Sequence, residues 1–363
     1  MYQRKKSRPV RIGSIQIGAG LPVAVQSMTK VQTTDVDRCL EQIGRLTSAG
    51  CRLVRLAVPR RADTQALVQI VRQVQIPIIA DVHFSAQRAI EAIEAGSAKV
   101  RINPGNMSRE DILTVVDAAK ANGVAIRLGV NEASIRDLSD DVPPNKRVRL
   151  MISRIREYVQ LCEDRGFDQL VISAKSSDPI RTIQTNRAIA RSFDYPIHIG
   201  LTHAGLPEDA AILSAVTLGT LLAEGIGDTI RVSAAGDPVE EVHVAYAILE
   251  ALGLAERRSP ELVVCPTCGR TEIDLLALAR KVKASLQQVP GPVRVAVMGC
   301  VVNGPGEAAD ADIAICGGKG KAFLYHKGKK VTVVPEAQLA DAVQRMIAQL
   351  SRVGDHATAK TKV

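Results

Sequence analysis

The fold is decided by four consecutive apolar segments: RLVRLAV (52–58), IPIIADVHF (76–84), AKVRINPG (98–105) and VAIRLGVN (124–131). Amphipathic stretches lie between them, and several of these end in Gly, the residue that most often follows a helix. Short buried β-branched runs that alternate with helices are typical of a parallel sheet. This part of the chain is therefore predicted to form strand–helix units in series.

The same pattern repeats on both sides of these segments. Four further apolar runs lie at 22–28, 168–176, 196–205 and 228–236. Eight units are the number that closes a (β/α)8 barrel of the TIM type. The segment VRIGSIQIG (10–18) alternates with period two and predicts a hairpin that plugs the barrel bottom. A doubly wound open sheet is the alternative, but no G-x-G-x-x-G motif follows the first strand.

The pattern changes after a break at 254–260, where shorter strands and two helices indicate a smaller α/β domain. We therefore predict a barrel domain over residues 1–253 and a second domain over 260–351. The polar residues 352–363 are predicted to be a disordered tail.

Composition limits the possible partners. The net charge of +9 admits nucleic acid, an anionic substrate or an acidic protein. Aromatic residues make up only 2% and Trp is absent, which disfavours single-stranded nucleic acid. No window approaches the 18 apolar residues of a membrane span, and the basic N-terminus lacks the apolar core of a signal peptide. We expect a cytoplasmic protein that binds neither membrane nor nucleic acid.

Four of the apolar strands carry one arginine each at an equivalent position: Arg55, Arg101, Arg127 and Arg231. A charge inside a buried strand is costly unless it is paired, so a single arginine would be explained by a structural ion pair. In a barrel, all four would lie towards the carboxyl ends of the strands, where active sites form. Because guanidinium groups match phosphate oxygens, the predicted ligand is small and carries more than one phosphate. Structural pairing inside the barrel is the alternative.

Three cysteines of the second domain lie in CPTC (265–268) and MGCVVNGPGE (298–307). A C-x-x-C pair serves zinc, redox disulfides and iron–sulfur clusters alike. No His or second Cys follows Cys300 closely, although a structural zinc site would need a fourth such ligand. Three thiolates with a weak fourth ligand suit a [4Fe–4S] cluster with one reactive iron. Spacing alone leaves zinc and a dithiol pair open, with Cys316 as either a fourth ligand or a core residue.

Seven segments carry a family resemblance: VQSMT (25–29), ADVHF (80–84), RINPGN (101–106), GDTIRVS (227–233), GDPVEEV (236–242), CPTCGR (265–270) and MGCVVNGPGE (298–307). They closely resemble 4-hydroxy-3-methylbut-2-enyl diphosphate synthases, and the resemblance runs from about Val10 to Leu350. It implies an iron–sulfur oxidoreductase of the non-mevalonate isoprenoid pathway. Such an enzyme reductively opens and dehydrates 2-C-methyl-D-erythritol 2,4-cyclodiphosphate, with electrons from ferredoxin or flavodoxin.

The resemblance also implies roles for individual residues. Cys265, Cys268, Cys300 and Glu307 would hold a [4Fe–4S] cluster, and Asn303 would reach towards the substrate. Ten barrel residues would form the diphosphate site: Arg55, Asp81, His83, Arg101, Asn103, Arg127, Asn131, Lys175, Arg231 and Ser233. The family's head-to-tail homodimer would place the cluster of one chain over the barrel of the other.

Two positions depart from the family pattern. His203 stands in LTHAG (201–205), where members commonly carry a Glu that is thought to assist proton transfer. Glu132 and Ala133 replace a small residue and Gly. We hypothesise that His203 donates a proton and that Glu132 supplies the carboxylate missing at position 203. Normal turnover by both Glu132→Gln and His203→Gln would contradict this hypothesis.

Two other readings of the whole chain are open at this point. One is a divergent paralogue with the same domains that acts on another small diphosphate. The other is a zinc-binding nucleic-acid module. The colour of the purified protein would distinguish a zinc-binding module from an iron–sulfur enzyme, because zinc proteins are colourless and iron–sulfur proteins are brown.

Overall fold

The first ordered element is an antiparallel hairpin of β1 (Val10–Ile12) and β2 (Ile15–Ile17). The computed structural model describes residues 4–132, 142–202, 205–286, 288–289, 291–302 and 304–358. The chain divides into two compact units between Ala255 and Glu256.

The first unit is a barrel of eight parallel strands in the order β8-β7-β6-β5-β4-β3-β10-β9. The strands are β3 (Ala24–Met28), β4 (Leu53–Ala57), β5 (Ile78–Val82), β6 (Lys99–Ile102), β7 (Ala125–Asn131), β8 (Leu170–Lys175), β9 (His198–Gly200) and β10 (Thr229–Arg231). A parallel bridge between Ile172 and Ile197 joins β8 to the chain entering β9 and closes the ring. The predicted (β/α)8 barrel is confirmed.

One helix follows each barrel strand: α1 (Val36–Ser48), α2 (Arg61–Gln73), α3 (Ala86–Glu94), α4 (Arg109–Asn122), α5 (Pro144–Glu163), α6 (Pro179–Ser192), α7 (Pro207–Ala223) and α8 (Pro238–Ala251). Helices α5 to α8 begin with Pro, whose fixed φ suits the first helical position. Helix α4 begins with a capping box between Ser108 and Asp111. These local signals fix where each strand ends and the loop at the barrel mouth begins.

The hairpin fills the amino end of the barrel. Val10, Ile12 and Ile17 are fully buried. They pack against the inward-facing residues near the strand starts: Ala24, Leu53, Ile79, Ala125 and Val171. The hairpin is therefore the predicted plug, and the polar interior of the barrel lies towards the carboxyl ends of the strands.

The second unit contains a five-stranded sheet in the order β11-β12-β13-β14-β15, with the last two pairings antiparallel. Its strands are β11 (Glu261–Val264), β12 (Arg294–Met298), β13 (Ile313–Gly318), β14 (Lys321–His326) and β15 (Lys329–Pro335). Helices α9 (Leu275–Leu286) and α11 (Leu339–Thr358) pack on one face of the sheet. The short helix α10 (Gly304–Glu307) precedes Ala308 and Ala311, which pack on the other face.

Helix α11 continues to Thr358, although the sequence predicted a disordered tail from residue 352. The physical reason is that extending an existing helix needs no new nucleation, so polar residues without proline can continue it. Residues 359–363 lie outside the described part. None of the described helices is both long and apolar enough to cross a membrane.

Candidate active site

A cavity of about 320 Å³ opens at the carboxyl ends of the barrel strands. Nine of the ten barrel residues predicted for the diphosphate site line it: Arg55, Asp81, His83, Arg101, Arg127, Asn131, Lys175, Arg231 and Ser233. The strand register explains this grouping, because Asp81 pairs with Arg101 and Arg101 with Arg127 across three strands. The tenth residue, Asn103, is buried ahead of a 3-10 turn and is not part of the lining.

Asp81 holds two of the arginines in place. Its carboxylate lies 3.1 Å from Nη1 of Arg101 and 3.5 Å from Nε of Arg55. Burial alone would raise the pKa of Asp81, but Arg55 and Arg101 outweigh burial and hold this pKa well below its usual range. Burial lowers the pKa of Arg55 to about 10, so its guanidinium stays charged at neutral pH. Asp81 is thus a permanent anion that orients two cations.

Glu241 of α8 holds Arg231 in place, as Asp81 holds Arg55 and Arg101. Its two carboxylate oxygens each lie 3.3 Å from a guanidinium nitrogen of Arg231. The carboxylate also accepts hydrogen bonds from the Ser27 hydroxyl at 3.0 Å and the Ala234 amide at 3.2 Å, and Lys30 lies 3.0 Å away. The sequence analysis did not select Glu241, because an acidic residue in the first turn of a helix is ordinary. Its position on the buried side of α8 is the feature that could have identified Glu241 as a site residue.

Among the residues that the structure describes, no carboxylate forms a salt bridge with Arg127 or Lys175. Arg127 is 1% exposed, and its Nε and Nη1 atoms have no hydrogen-bond partner among the described residues. Burial and the neighbouring cations hold the pKa values of both side chains well below their usual ranges. Five cationic side chains thus meet two carboxylates at this site. An uncompensated buried charge is costly, so the cavity suits an anion that carries several charges.

Two glycines make room for these cations. A Cβ atom at Gly129 would lie 2.4 Å from Nε of Arg101. A Cβ atom at Gly200 would lie 2.6 Å from Nζ of Lys175. Both distances are far below ordinary van der Waals contact, so an added Cβ would displace Arg101 or Lys175 from its present position.

We expect Gly129→Ala to weaken the binding of inorganic diphosphate about ten- to a hundredfold, because Arg101 must leave its charge-assisted bond to Asp81. Isothermal titration calorimetry measures the affinity. Gly44→Ala is the matched control, since a Cβ atom there meets open space on α1. Equal affinities for both variants would contradict the proposed contact.

A fully buried polar layer lies beneath the arginines. It contains Lys99 and His198, each 0% exposed, and Nδ1 of His198 lies 2.8 Å from the Thr229 hydroxyl. Burial, followed by the charges of Arg127 and Lys175, holds the pKa of His198 well below its usual range. The folded protein therefore keeps this imidazole neutral.

This burial predicts a pH-dependent stability. Because the folded-state pKa is depressed, the contribution of neutral His198 is complete above the unfolded-state pKa of about 6.5 and is lost as pH falls below it. Urea unfolding at pH 7, 6 and 5 should show this loss, with a slope of at most about 1.4 kcal/mol per pH unit from this group. His198→Gln should flatten the dependence, and His243→Gln, at an exposed site, should not. The hypothesis fails if His198→Gln keeps the wild-type slope.

The three predicted cluster cysteines lie on loops after two adjacent strands. Cys265 directly follows β11, and its amide donates to the Val297 carbonyl at 3.1 Å. Cys300 lies two residues after β12, and the Cys268 amide donates to the Thr271 hydroxyl at 3.2 Å. These three free thiols are half-buried or exposed. The other four free cysteines are buried: Cys39, Cys51, Cys162 and Cys316.

Cys316 lies in β13 opposite Met298, and burial raises the pKa of its thiol to about 11. This is the environment of a core residue. No group of three or more His, Cys, Asp or Glu side chains lies at metal-binding distance within the described residues. The backbone of Glu307 ends α10, but its side chain is not among the described parts of the chain. Asn303 and His203 lie outside the described residues.

Glu132 lies away from the cavity lining. Its carboxylate lies 3.2 Å from Nη1 of Arg147 and 3.1 Å from Nε of Arg181, and it accepts a hydrogen bond from Ser176. Burial would raise the pKa of Glu132, but the Ser176 hydrogen bond and Arg181 outweigh burial and lower it. Glu132 therefore has the geometry of a structural ion pair, which does not favour the hypothesis that it serves in proton transfer.

Comparison with known proteins identifies the family. The model of the GcpE TIM-barrel domain matches residues 7–246, and that of the GcpE protein C-terminal domain matches residues 261–349. The chain is 45% identical over 98% of its length to 4-hydroxy-3-methylbut-2-en-1-yl diphosphate synthase (flavodoxin) of Salinispora arenicola, and covers 90% of that protein. The chain belongs to the 4-hydroxy-3-methylbut-2-en-1-yl diphosphate synthase family. This confirms the resemblance seen in the motifs.

A second synthase of this family, from Geobacillus thermodenitrificans, is 44% identical over 97% of the chain, which covers 94% of that protein. Among solved structures, dihydropteroate synthase from Stenotrophomonas maltophilia matches with a TM-score of 0.50 and 15% identity, over 65% of this chain and 95% of that one. A Xanthomonas albilineans dihydropteroate synthase matches with a TM-score of 0.50 and 16% identity, over 69% and 100%. These two matches concern the fold alone.

Proposed function

We propose that this chain converts 2-C-methyl-D-erythritol 2,4-cyclodiphosphate to 4-hydroxy-3-methylbut-2-enyl diphosphate by reductive ring opening and dehydration. The observation that carries the proposal is the excess of basic over acidic side chains in the barrel cavity, where, among the described residues, no carboxylate forms a salt bridge with Arg127 or Lys175. A ligand with two phosphates would balance this charge. The full-length relatives are named as synthases of this product and favour neither a paralogue with another substrate nor a nucleic-acid module.

The paired arginines would act by pre-organisation. Asp81 fixes Arg55 and Arg101, and Glu241 fixes Arg231, before any ligand arrives. When the ring opens, negative charge grows on the phosphate oxygen that is released. Guanidinium groups already aimed at that oxygen stabilise the charge without reorganisation, which is the main route to electrostatic catalysis.

We also propose that Cys265, Cys268, Cys300 and Glu307 hold a [4Fe–4S] cluster. The donor chemistry fits, because the three thiols are free and partly or fully exposed, and Cys265 and Cys300 follow two adjacent strands. When bound, such a cluster would supply electrons one at a time and a Lewis-acidic iron. Asn303 would reach towards the substrate. We assign proton donation to His203, because Glu132 is held ionised by Arg147 and Arg181.

Turnover by reconstituted protein tests the function. The anaerobic protein, loaded with iron and sulfide, is incubated with the cyclic diphosphate and dithionite with methyl viologen, and products are identified by mass spectrometry. We expect the open-chain diphosphate only when reductant is present. Binding of the cyclic diphosphate without any turnover would reject the reaction, and a colourless zinc-loaded protein would reject the cluster.

We propose a cytoplasmic head-to-tail homodimer in which one chain's cluster serves the other chain's barrel. A cytoplasmic location suits seven free cysteines. Co-expression of Arg127→Met and Cys300→Ser chains with different tags tests the dimer. The purified heterodimer contains one intact barrel opposite one intact cluster, so it should recover about half of the wild-type turnover. An inactive heterodimer would contradict the arrangement.

A further inference from the structure

A row of side chains crosses the sheet of the second unit on one face. The strand register pairs Met298 with Cys316, Cys316 with Phe323, and Phe323 with Val333. Paired residues of neighbouring strands point to the same face. Cys265, at the end of β11, packs in one apolar cluster with Met298, Cys316 and Phe323. The row therefore leads from a proposed cluster ligand to the last strand of the sheet.

This last strand, β15, is the edge of the sheet and is open to solvent. All residues from 329 to 333 are exposed, and Val331 and Val333 are 59% and 41% exposed. Lys329 and Lys330 protect this edge against pairing with another strand, and the two exposed valines beside them form an apolar patch that indicates a contact surface.

Lysines surround these valines. Five of them lie at positions 319, 321, 327, 329 and 330, and no acidic residue occurs from 313 to 335. The ammonium groups of Lys321 and Lys330 lie 5.7 Å and 4.4 Å from the ring centre of Phe323, on the face that carries the row. Within the described residues, none of the five lysines forms a salt bridge with a carboxylate. Their charge is therefore available to a partner.

We propose that the β14–β15 hairpin is the docking surface for an acidic electron-donor protein of the flavodoxin class. This inference rests on the proposed function and adds the place where the donor binds. An apolar centre with a charged rim is typical of transient interfaces, and charge complementarity favours an acidic partner. A second copy of this chain is disfavoured, because its net charge is +9 and the hairpin is itself basic.

Docking at this place would serve electron transfer. Neighbouring strands are about 4.8 Å apart, so Phe323 in β14 lies roughly 10 Å from β12, the strand that leads to Cys300. Each encounter would oxidise the reduced donor by one electron. Two encounters would supply the two electrons that the proposed reaction consumes.

Charge reversal on the hairpin tests the proposal. The double variant Lys321→Glu/Lys330→Glu is compared with Lys281→Glu/Lys283→Glu on α9, where both lysines are exposed and the helix packs on the opposite face of the same sheet. The affinity for purified flavodoxin is measured by calorimetry at low and high salt. We expect the hairpin variant to bind about tenfold or more weakly at low salt and the α9 variant to bind like wild type.

Turnover with dithionite and methyl viologen, which need no docking, should be equal in all three proteins. A loss of flavodoxin affinity that is the same in both variants would overturn the proposal, and so would an unchanged affinity in the hairpin variant. A hairpin variant that loses only self-association would assign this surface to a second copy of the chain instead. Because affinity is measured without turnover, failure of the proposed reaction would leave this test intact.

Discussion

Arg127→Met is expected to make the fold more stable while removing most of its affinity for the substrate. The guanidinium is 1% exposed, and two of its nitrogens have no hydrogen-bond partner within the described part of the chain. Replacing an uncompensated buried charge with an apolar side chain of similar length should raise the free energy of unfolding by about 1–3 kcal/mol. Affinity for the cyclic diphosphate should fall at least about a hundredfold, because a charge-assisted contact in a dry site is lost.

Arg101→Met provides the matched comparison. Arg101 donates to Asp81 at 3.1 Å and to the Gly129 carbonyl at 3.2 Å, so its removal leaves a buried carboxylate with one fewer partner. We expect this variant to lose both affinity and stability. Urea unfolding and calorimetry with the cyclic diphosphate measure the two quantities. If Arg127→Met were as destabilised as Arg101→Met, Arg127 would be a structural residue and the anion-binding interpretation would fail.

Cys300→Ser is expected to remove the metal centre and turnover together. A serine hydroxyl is a poor ligand for iron, and with two of three thiolates left the site should retain little iron after reconstitution. Turnover with a chemical reductant should fall below about one-hundredth of wild type. Iron content per chain and visible absorbance report the loss independently of activity.

Cys316→Ala is the control for this prediction. Cys316 is 0% exposed in the middle of β13, and it pairs with Met298 and Phe323 on the neighbouring strands. We expect full iron content with a modest loss of stability of about 1 kcal/mol from the small cavity left behind. Iron loss as complete as in Cys300→Ser would instead make Cys316 a ligand.

The barrel could be predicted from the sequence because its signals are local. Each strand is a short apolar run, each helix has its own start and stop residues, and the arginines recur at one position of the repeating unit. The register of a parallel sheet then places Asp81, Arg101 and Arg127 side by side without further information.

The pairing of these charges could not be predicted in the same way. Glu241 reaches Arg231 from a helix, and the packing of that helix decides which of two adjacent acidic residues faces the strand. Glu132 forms ion pairs with Arg147 and Arg181, which come from α5 and α6. Such contacts depend on how helices dock on the barrel, and no motif in the sequence records that. The end of α11 was missed for a different reason, since helix propagation depends on the preceding turns more than on composition.

Among the described residues, the buried hairpin closes the amino end of the barrel. With Val10, Ile12 and Ile17 packed there, the substrate and product of the proposed reaction would share the opening at the carboxyl ends of the strands. The product of the proposed reaction keeps both phosphates and thus most of the groups that bind the arginines. Release of the product is therefore opposed by the same electrostatic attraction that binds the substrate. We expect product release to limit the turnover rate.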